Sequence, residues 1–161
     1  MGQKALEARR PCLYVRSRYV VAMINRVLLP IDDSEQAEAA LEYALSVHGD
    51  AEITVLYVAG EASPMMGEAM GIAIEDDTTE AASEQGKAVF ERARAIAAEA
   101  GVKIETAVSV GTPGNAIVDH ADEFDLVVIG THSGGLKETL LSGNVTKKVV
   151  RGSPVPVTVV K

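Results

Sequence analysis

The sequence predicts an α/β protein, a single doubly wound domain with a five-stranded parallel sheet in the order 3-2-1-4-5 and helices on both faces. Short apolar runs alternate with stretches of helical periodicity from residue 24 onward. The core must be aliphatic, because 47% of the 161 residues are hydrophobic while only 4% are aromatic, with no Trp and two Phe. Right-handed crossovers between parallel strands leave few ways to arrange such an alternation.

Strand one is Arg26-Val27-Leu28-Leu29-Pro30-Ile31, an apolar run of the kind covered on both faces. Helix one follows, with Ala37, Ala40, Leu41, Ala44 and Leu45 at helical spacing and Asp33 and Ser34 as candidate caps. Gln36, three residues after Asp33, fits a capping box, which favours Asp33 as the cap. Residues 52–58, rich in β-branched side chains, form strand two. A long loop is expected over residues 60–78, carrying Met65, Met66, Met70 and a solvated Glu75-Asp76-Asp77 cluster. Helix two is expected over 79–100, with Ala82, Lys87, Phe90, Ala93, Ile96 and Ala97 on one face and Gly101 as its stop.

Strand three, 102–110, alternates apolar and polar residues and reads as an edge. Thr112-Pro113 marks the start of helix three, with Thr as cap and Pro where a missing N–H costs nothing. Strand four is 125–130 and helix four 143–151. The last strand, 154–160, has two prolines at its entry, which suits an edge. Val155, Val157, Val159 and Val160 leave an apolar edge that a second copy can pair with, so a homodimer is expected.

Charge separates the chain into two parts. Residues 1–23 hold five Lys or Arg and one Glu, whereas 24–161 hold ten Lys or Arg and 22 Asp or Glu, leaving +4 and −12. So acidic a body repels a polyphosphate backbone, and nucleic acid is not an expected partner. No apolar run approaches the roughly 18 residues of a membrane span. Residues 1–22 lack the apolar core and cleavage site of a secretory signal and are read as a mobile extension or a misassigned start before Met23. Domain boundaries are therefore expected at 1–22 and 23–161. The single Cys12 has no intramolecular partner, which fits a reducing cytoplasm.

The most telling junction is Leu126-Val127-Val128-Ile129 running into Gly130-Thr131-His132-Ser133-Gly134-Gly135 and then a helix. A strand that ends in small residues ahead of a helix start offers unpaired main-chain N–H groups to a phosphate. In a doubly wound sheet the ligand crevice opens where the connections reverse, at the carboxyl ends of strands one and four. Asp32 and the Gly130 loop are expected to face each other there.

Residues 26–35 (RVLLPIDDSE), 125–132 (DLVVIGTH) and 154–160 (PVPVTVV) together resemble the universal stress protein family, over residues 24–161. The resemblance implies an ATP site in which Gly130, two residues, position 133, nine residues, then Gly143 and position 144 cradle the nucleotide. Two positions depart from the pattern: Ser133 stands for the second glycine and Asn144 for a hydroxyl residue. It further implies that Asp32 approaches the ribose, the alternative being helix capping, and that Val58 or Tyr57 lies at the adenine while Pro30 shapes the first loop. The implied nucleotide site is Pro30, Asp32, Val58, Gly130, Thr131, His132, Ser133, Gly143, Asn144 and Val145. ATP or a related nucleotide is the implied ligand, with Mg or Mn carried in on phosphate oxygens, in a stress-response role.

No dedicated catalytic chemistry is legible: there is no Walker lysine loop, no nucleophile turn and no Cys-X-X-Cys. The resemblance allows at most a slow ATPase. Lys137 lies close to the glycines, and neither His48, His120 nor His132 has a metal partner at recognised spacing. Two other readings stand beside the first: a family member without nucleotide that acts as a dimeric interaction partner, and a flavodoxin-like electron carrier, disfavoured by the scarcity of flat aromatic partners for a flavin.

Overall fold

The computed structural model describes residues 23–60, 75–131 and 143–161, with the backbone alone for 75–83 and 85. The elements in chain order are β1 (Arg26–Ile31), α1 (Glu35–His48), β2 (Glu52–Ala59), α2 (Glu75–Glu99), β3 (Ile104–Val110), α3 (Pro113–Ala121), β4 (Leu126–Gly130), α4 (Gly143–Gly152) and β5 (Val157–Val160). The strands form one parallel sheet in the order β3-β2-β1-β4-β5. Helices α1 and α2 cover one face and α3 and α4 the other, as right-handed crossovers require when the chain first moves one way from β1 and then returns past it.

The aliphatic composition explains the core. Val27, Leu29, Ile53, Val55 and Val128 share one face of the sheet and are entirely buried, and α1 packs on that face through Ala37, Ala40, Leu41, Ala44 and Leu45. The alanines let the helix backbone approach the sheet closely. On α2, Phe90, Ala93 and Ala97 are buried as the periodicity demands. Lys87 departs from that expectation: it is exposed and pairs with Glu84 at 3.1 Å, while Gly86 and Val89 face inward in its place. The stripe runs through 86, 89, 90, 93 and 97, one step round the helix from a line through 87.

Several boundaries differ from the sequence reading for identifiable reasons. Helix α2 runs from Glu75, so Glu75, Asp76 and Asp77 belong to the helix and not to the preceding loop. Strand β3 starts at Ile104 because Val102 belongs to the stop of α2, its N–H donating to the Ala97 carbonyl at 3.0 Å around Gly101, whose φ of +70° favours glycine. Strand β5 starts at Val157, since Pro154 and Pro156 have no N–H to give a ladder; Pro156 instead accepts from Val127 at 3.0 Å. Both β3 and β5 are sheet edges, as their patterns indicated.

The start of α1 also corrects the capping assignment. The cap is Ser34, whose Oγ accepts from the Ala37 N–H at 3.2 Å; Asp33 lies one residue too early and is exposed. Thr112 caps α3 with Pro113 in the first turn, as read, but through its carbonyl, which accepts from Asn115 and Ala116. The readings made for residues 1–22, for Met65, Met66 and Met70, and for His132, Ser133, Gly134, Gly135 and Lys137 lie outside the described residues.

Candidate functional site

The switch point sits between β1 and β4, and their register shows how it opens. These strands pair at Val27–Leu126 and Leu28–Val127, and the pairing does not continue along Leu29–Ile31 and Val128–Gly130. By contrast β1 pairs with β2 over its whole length, from Arg26–Glu52 to Ile31–Tyr57. At such a switch in strand order a crevice opens between the loops that follow β1 and β4. Pro30, buried and without an N–H, lies beyond the last β1–β4 pair.

Asp32 leaves β1 at that crevice and is buried, with 4% exposure. Its Oδ1 accepts the Ser34 N–H at 3.0 Å and the Ser34 hydroxyl in a short contact. The same hydroxyl accepts from Ala37, so the carboxylate stands behind the cap of α1 rather than acting as the cap. A buried carboxylate held in place by hydrogen bonds is a rigid acceptor. Asp32 and Asp33 both act on Tyr57, at the end of β2. Burial, foremost, and then the charges of Asp33 and Asp32 push its phenol above the ordinary value of 10.0.

That coupling gives a measurable expectation. Ultraviolet titration of the phenolate is expected to show Tyr57 ionising above 10, with Asp33→Asn and Asp32→Asn each lowering the value without restoring it, since burial remains. The folded phenol holds its proton longer than the unfolded one. Stability is therefore unaffected below about pH 10 and falls as pH rises from there toward the native value.

On the other side, Gly130 ends β4 fully within the protein. A Cβ at this position would stand 2.3 Å from the Gln36 carbonyl oxygen and 3.1 Å from the Ala37 nitrogen of α1. The absence of a side chain at 130 is thus required by the first turn of α1, a reason that the sequence pattern alone does not show. Thr131 follows, its N–H donating to Val160 at 2.9 Å. Val58 is buried near the carboxyl end of β2.

Helix α4 contributes its amino end. The N–H groups at Gly143, Asn144 and Val145 have no intrahelical acceptors among the described residues, and no acidic residue sits in this turn. No described residue approaches within 4 Å of where a Cβ of Gly143 would be, and Asn144 is exposed. Thr146 was missed in the sequence reading. It is 7% exposed and its Oγ1 is buried without a hydrogen-bond partner among the described residues, a state that costs about 1–3 kcal/mol. The signal was available as a hydroxyl two residues beyond the Asn144 position.

Among the sequence-predicted residues, the structure places Pro30, Asp32, Val58, Gly130 and Thr131 at the carboxyl edge of the sheet, and Gly143, Asn144 and Val145 at the start of α4. His132 and Ser133 lie outside the described residues. No group of three His, Cys, Asp or Glu among the described residues is arranged to hold a metal ion. No helix among them is long and apolar enough to cross a membrane.

This geometry defines a class: a doubly wound α/β domain whose switch-point crevice carries a buried acid on one lip and main-chain donors on the other. The family model for the universal stress protein family matches residues 23–161, and the chain belongs to that family. Among curated relatives, the chain is similar to universal stress protein YxiE of Bacillus subtilis, 34% identical across 86% of this chain and 100% of that one. The solved structure of MJ0577 from Methanocaldococcus jannaschii superposes with a TM-score of 0.67 at 29% identity, covering 87% of this chain and 97% of the other. A universal stress protein family protein from Arabidopsis thaliana, solved with AMP bound, has the same fold at a TM-score of 0.58 and 21% identity, over 85% and 90% of the two chains.

Proposed function

We propose that the protein is a stress-response module that binds ATP or a related adenine nucleotide in the crevice after β1 and β4. The switch point between β1 and β4, whose pairing ends after Leu28–Val127, is the observation that carries this reading. Asp32 is a fixed acceptor for ribose hydroxyls. The amino end of α4 is a donor surface for phosphate, each favourable anion contact contributing about 0.3–1 kcal/mol. The buried Thr146 hydroxyl is a group for a phosphate oxygen or its water to pair with, offsetting the hydroxyl missing at Asn144. The AMP held by the Arabidopsis relative is in keeping with this ligand class. Mg or Mn would arrive on the phosphate oxygens, which suit these ions. The module acts in the cytoplasm as a sensor rather than through dedicated catalytic residues.

Mass spectrometry of small molecules released from the purified, denatured protein, with calorimetric titration of MgATP, tests the reading. A saturable isotherm that tightens in Ser133→Gly, which restores the glycine of the family pattern, is the expected result. No released nucleotide and no heat would instead favour the nucleotide-free interaction partner.

The second part of the proposal is a homodimer through β5, an edge strand whose Val159 is 39% exposed. An unpaired apolar edge is a template for a second copy. Light scattering is expected to give twice the chain mass at micromolar concentration, and Val159→Lys to shift it toward the monomer.

A further inference from the structure

A second cavity, of about 360 Å³, lies at the opposite end of the strands, between the sheet and the end of α3. Arg26 on its rim precedes Asp32 by six residues of an extended strand, which puts the two about 20 Å apart. The floor is apolar: Leu28 and Leu56 are buried to 1% exposure, and Phe124 closes one side. Thr54 contributes a half-buried hydroxyl that makes no hydrogen bond with a described residue. Around this floor stand Arg26, Glu52, His120 and Glu123.

The charges on the rim are not spent on one another. Arg26 and Glu52 are directly opposed in the β1–β2 register, where such a pair commonly closes, yet among the described residues neither they nor Glu123 takes part in an ion pair. One guanidinium and two carboxylates therefore face a cavity whose floor has little polar to offer them. A plain anion would meet the two carboxylates and a body of charge −12; a plain cation would meet Arg26. A ligand carrying both signs on an apolar body satisfies the rim and the floor together, and pockets of a few hundred Å³ with a few convergent polar groups are the size and character of small-ligand sites.

We propose that this cavity is a second small-molecule site taking a zwitterion of the aliphatic α-amino acid class. The carboxylate pairs with the Arg26 guanidinium, the ammonium with Glu52 and Glu123, and the side chain lies on Leu28, Leu56 and Phe124. Because the two sites are at opposite ends of the strands, this inference stands or falls independently of nucleotide binding.

The test is a heteronuclear NMR titration of the full chain with L-leucine, run alongside isocaproate, which lacks the ammonium, and isoamylamine, which lacks the carboxylate. Saturable shifts at Thr54, His120 and Phe124 are expected with leucine, and each half-ligand is expected to bind at least about tenfold more weakly, the loss of one charge-assisted contact. Arg26→Gln, an exposed position, is expected to weaken leucine to the level of the amine while MgATP titration is unchanged. The proposal is overturned if leucine gives no saturable response up to about 20 mM, if either half-ligand binds as tightly as leucine, or if the shifts gather at Asp32, Gly130 and Gly143 instead. The half-ligand comparison needs no variant, so it decides the matter even if Arg26→Gln folds poorly.

Discussion

Gly130→Ala is expected to destabilise the domain by at least about 3 kcal/mol, or to prevent its accumulation in folded form. The added methyl would lie 2.3 Å from the Gln36 carbonyl oxygen and 2.6 Å from its carbon, and both atoms belong to backbone that cannot swing aside. Relief requires moving the first turn of α1 off the sheet, which breaks the packing of Ala37 and Ala40 against β4 and β1. Chemical denaturation of the purified variant measures the loss, and a midpoint equal to that of the parent would refute the packing argument. At Gly143, where no described residue stands within 4 Å, the same substitution is expected to cost far less in stability. The two glycines share one motif and differ in purpose.

Asp32→Ala is expected to lower stability by about 2 kcal/mol, because the carboxylate holds the Ser34 cap, and nucleotide affinity by about tenfold or more, because the proposed site uses it as the ribose acceptor. Two further variants separate these roles. Ser34→Ala removes the cap, costing about 1 kcal/mol, and is expected to leave nucleotide affinity close to that of the parent. Asp32→Asn keeps an acceptor for the Ser34 N–H at nearly unchanged shape, so it is expected to retain most of the stability while affinity falls, since a neutral amide is a weaker acceptor for ribose hydroxyls. Thermal unfolding combined with calorimetric titration reads both quantities. Equal affinity in Asp32→Asn and the parent would remove Asp32 from the site and leave it a purely structural residue.

Much of this protein is legible in one dimension. β1 was read with its observed bounds, because Val27-Leu28-Leu29 is apolar without interruption and a charge precedes it. The five inward positions of α1 are all buried, because 3.6-residue periodicity is a property of the helix itself. The edge positions of β3 and β5 follow from alternation and from proline, which report how many sides of a strand are covered. What the pattern misplaced lies at junctions. The Asp33-to-Gln36 spacing matches a capping box as well as Ser34 does, and only the turn of chain leaving β1, with Asp32 folded back onto Ser34, selects between them. Val102 belongs to a helix stop although its side chain suits a strand, since its N–H goes to Ala97.

Composition, periodicity and the Gly130 junction determined the fold class, the strand order to expect and the end of the sheet where a ligand would sit, because burial and the handedness of crossovers act on any chain with that alternation. Only the tertiary structure decided that Gly130 answers to α1, that Asp32 is bound into the cap of the same helix, that Thr146 is a buried hydroxyl without a partner among the described residues, and that Arg26, Glu52, Glu123 and His120 ring an apolar hollow at the far end of the strands. Each of these depends on residues distant in sequence or on the direction a side chain takes, and neither is encoded in local spacing.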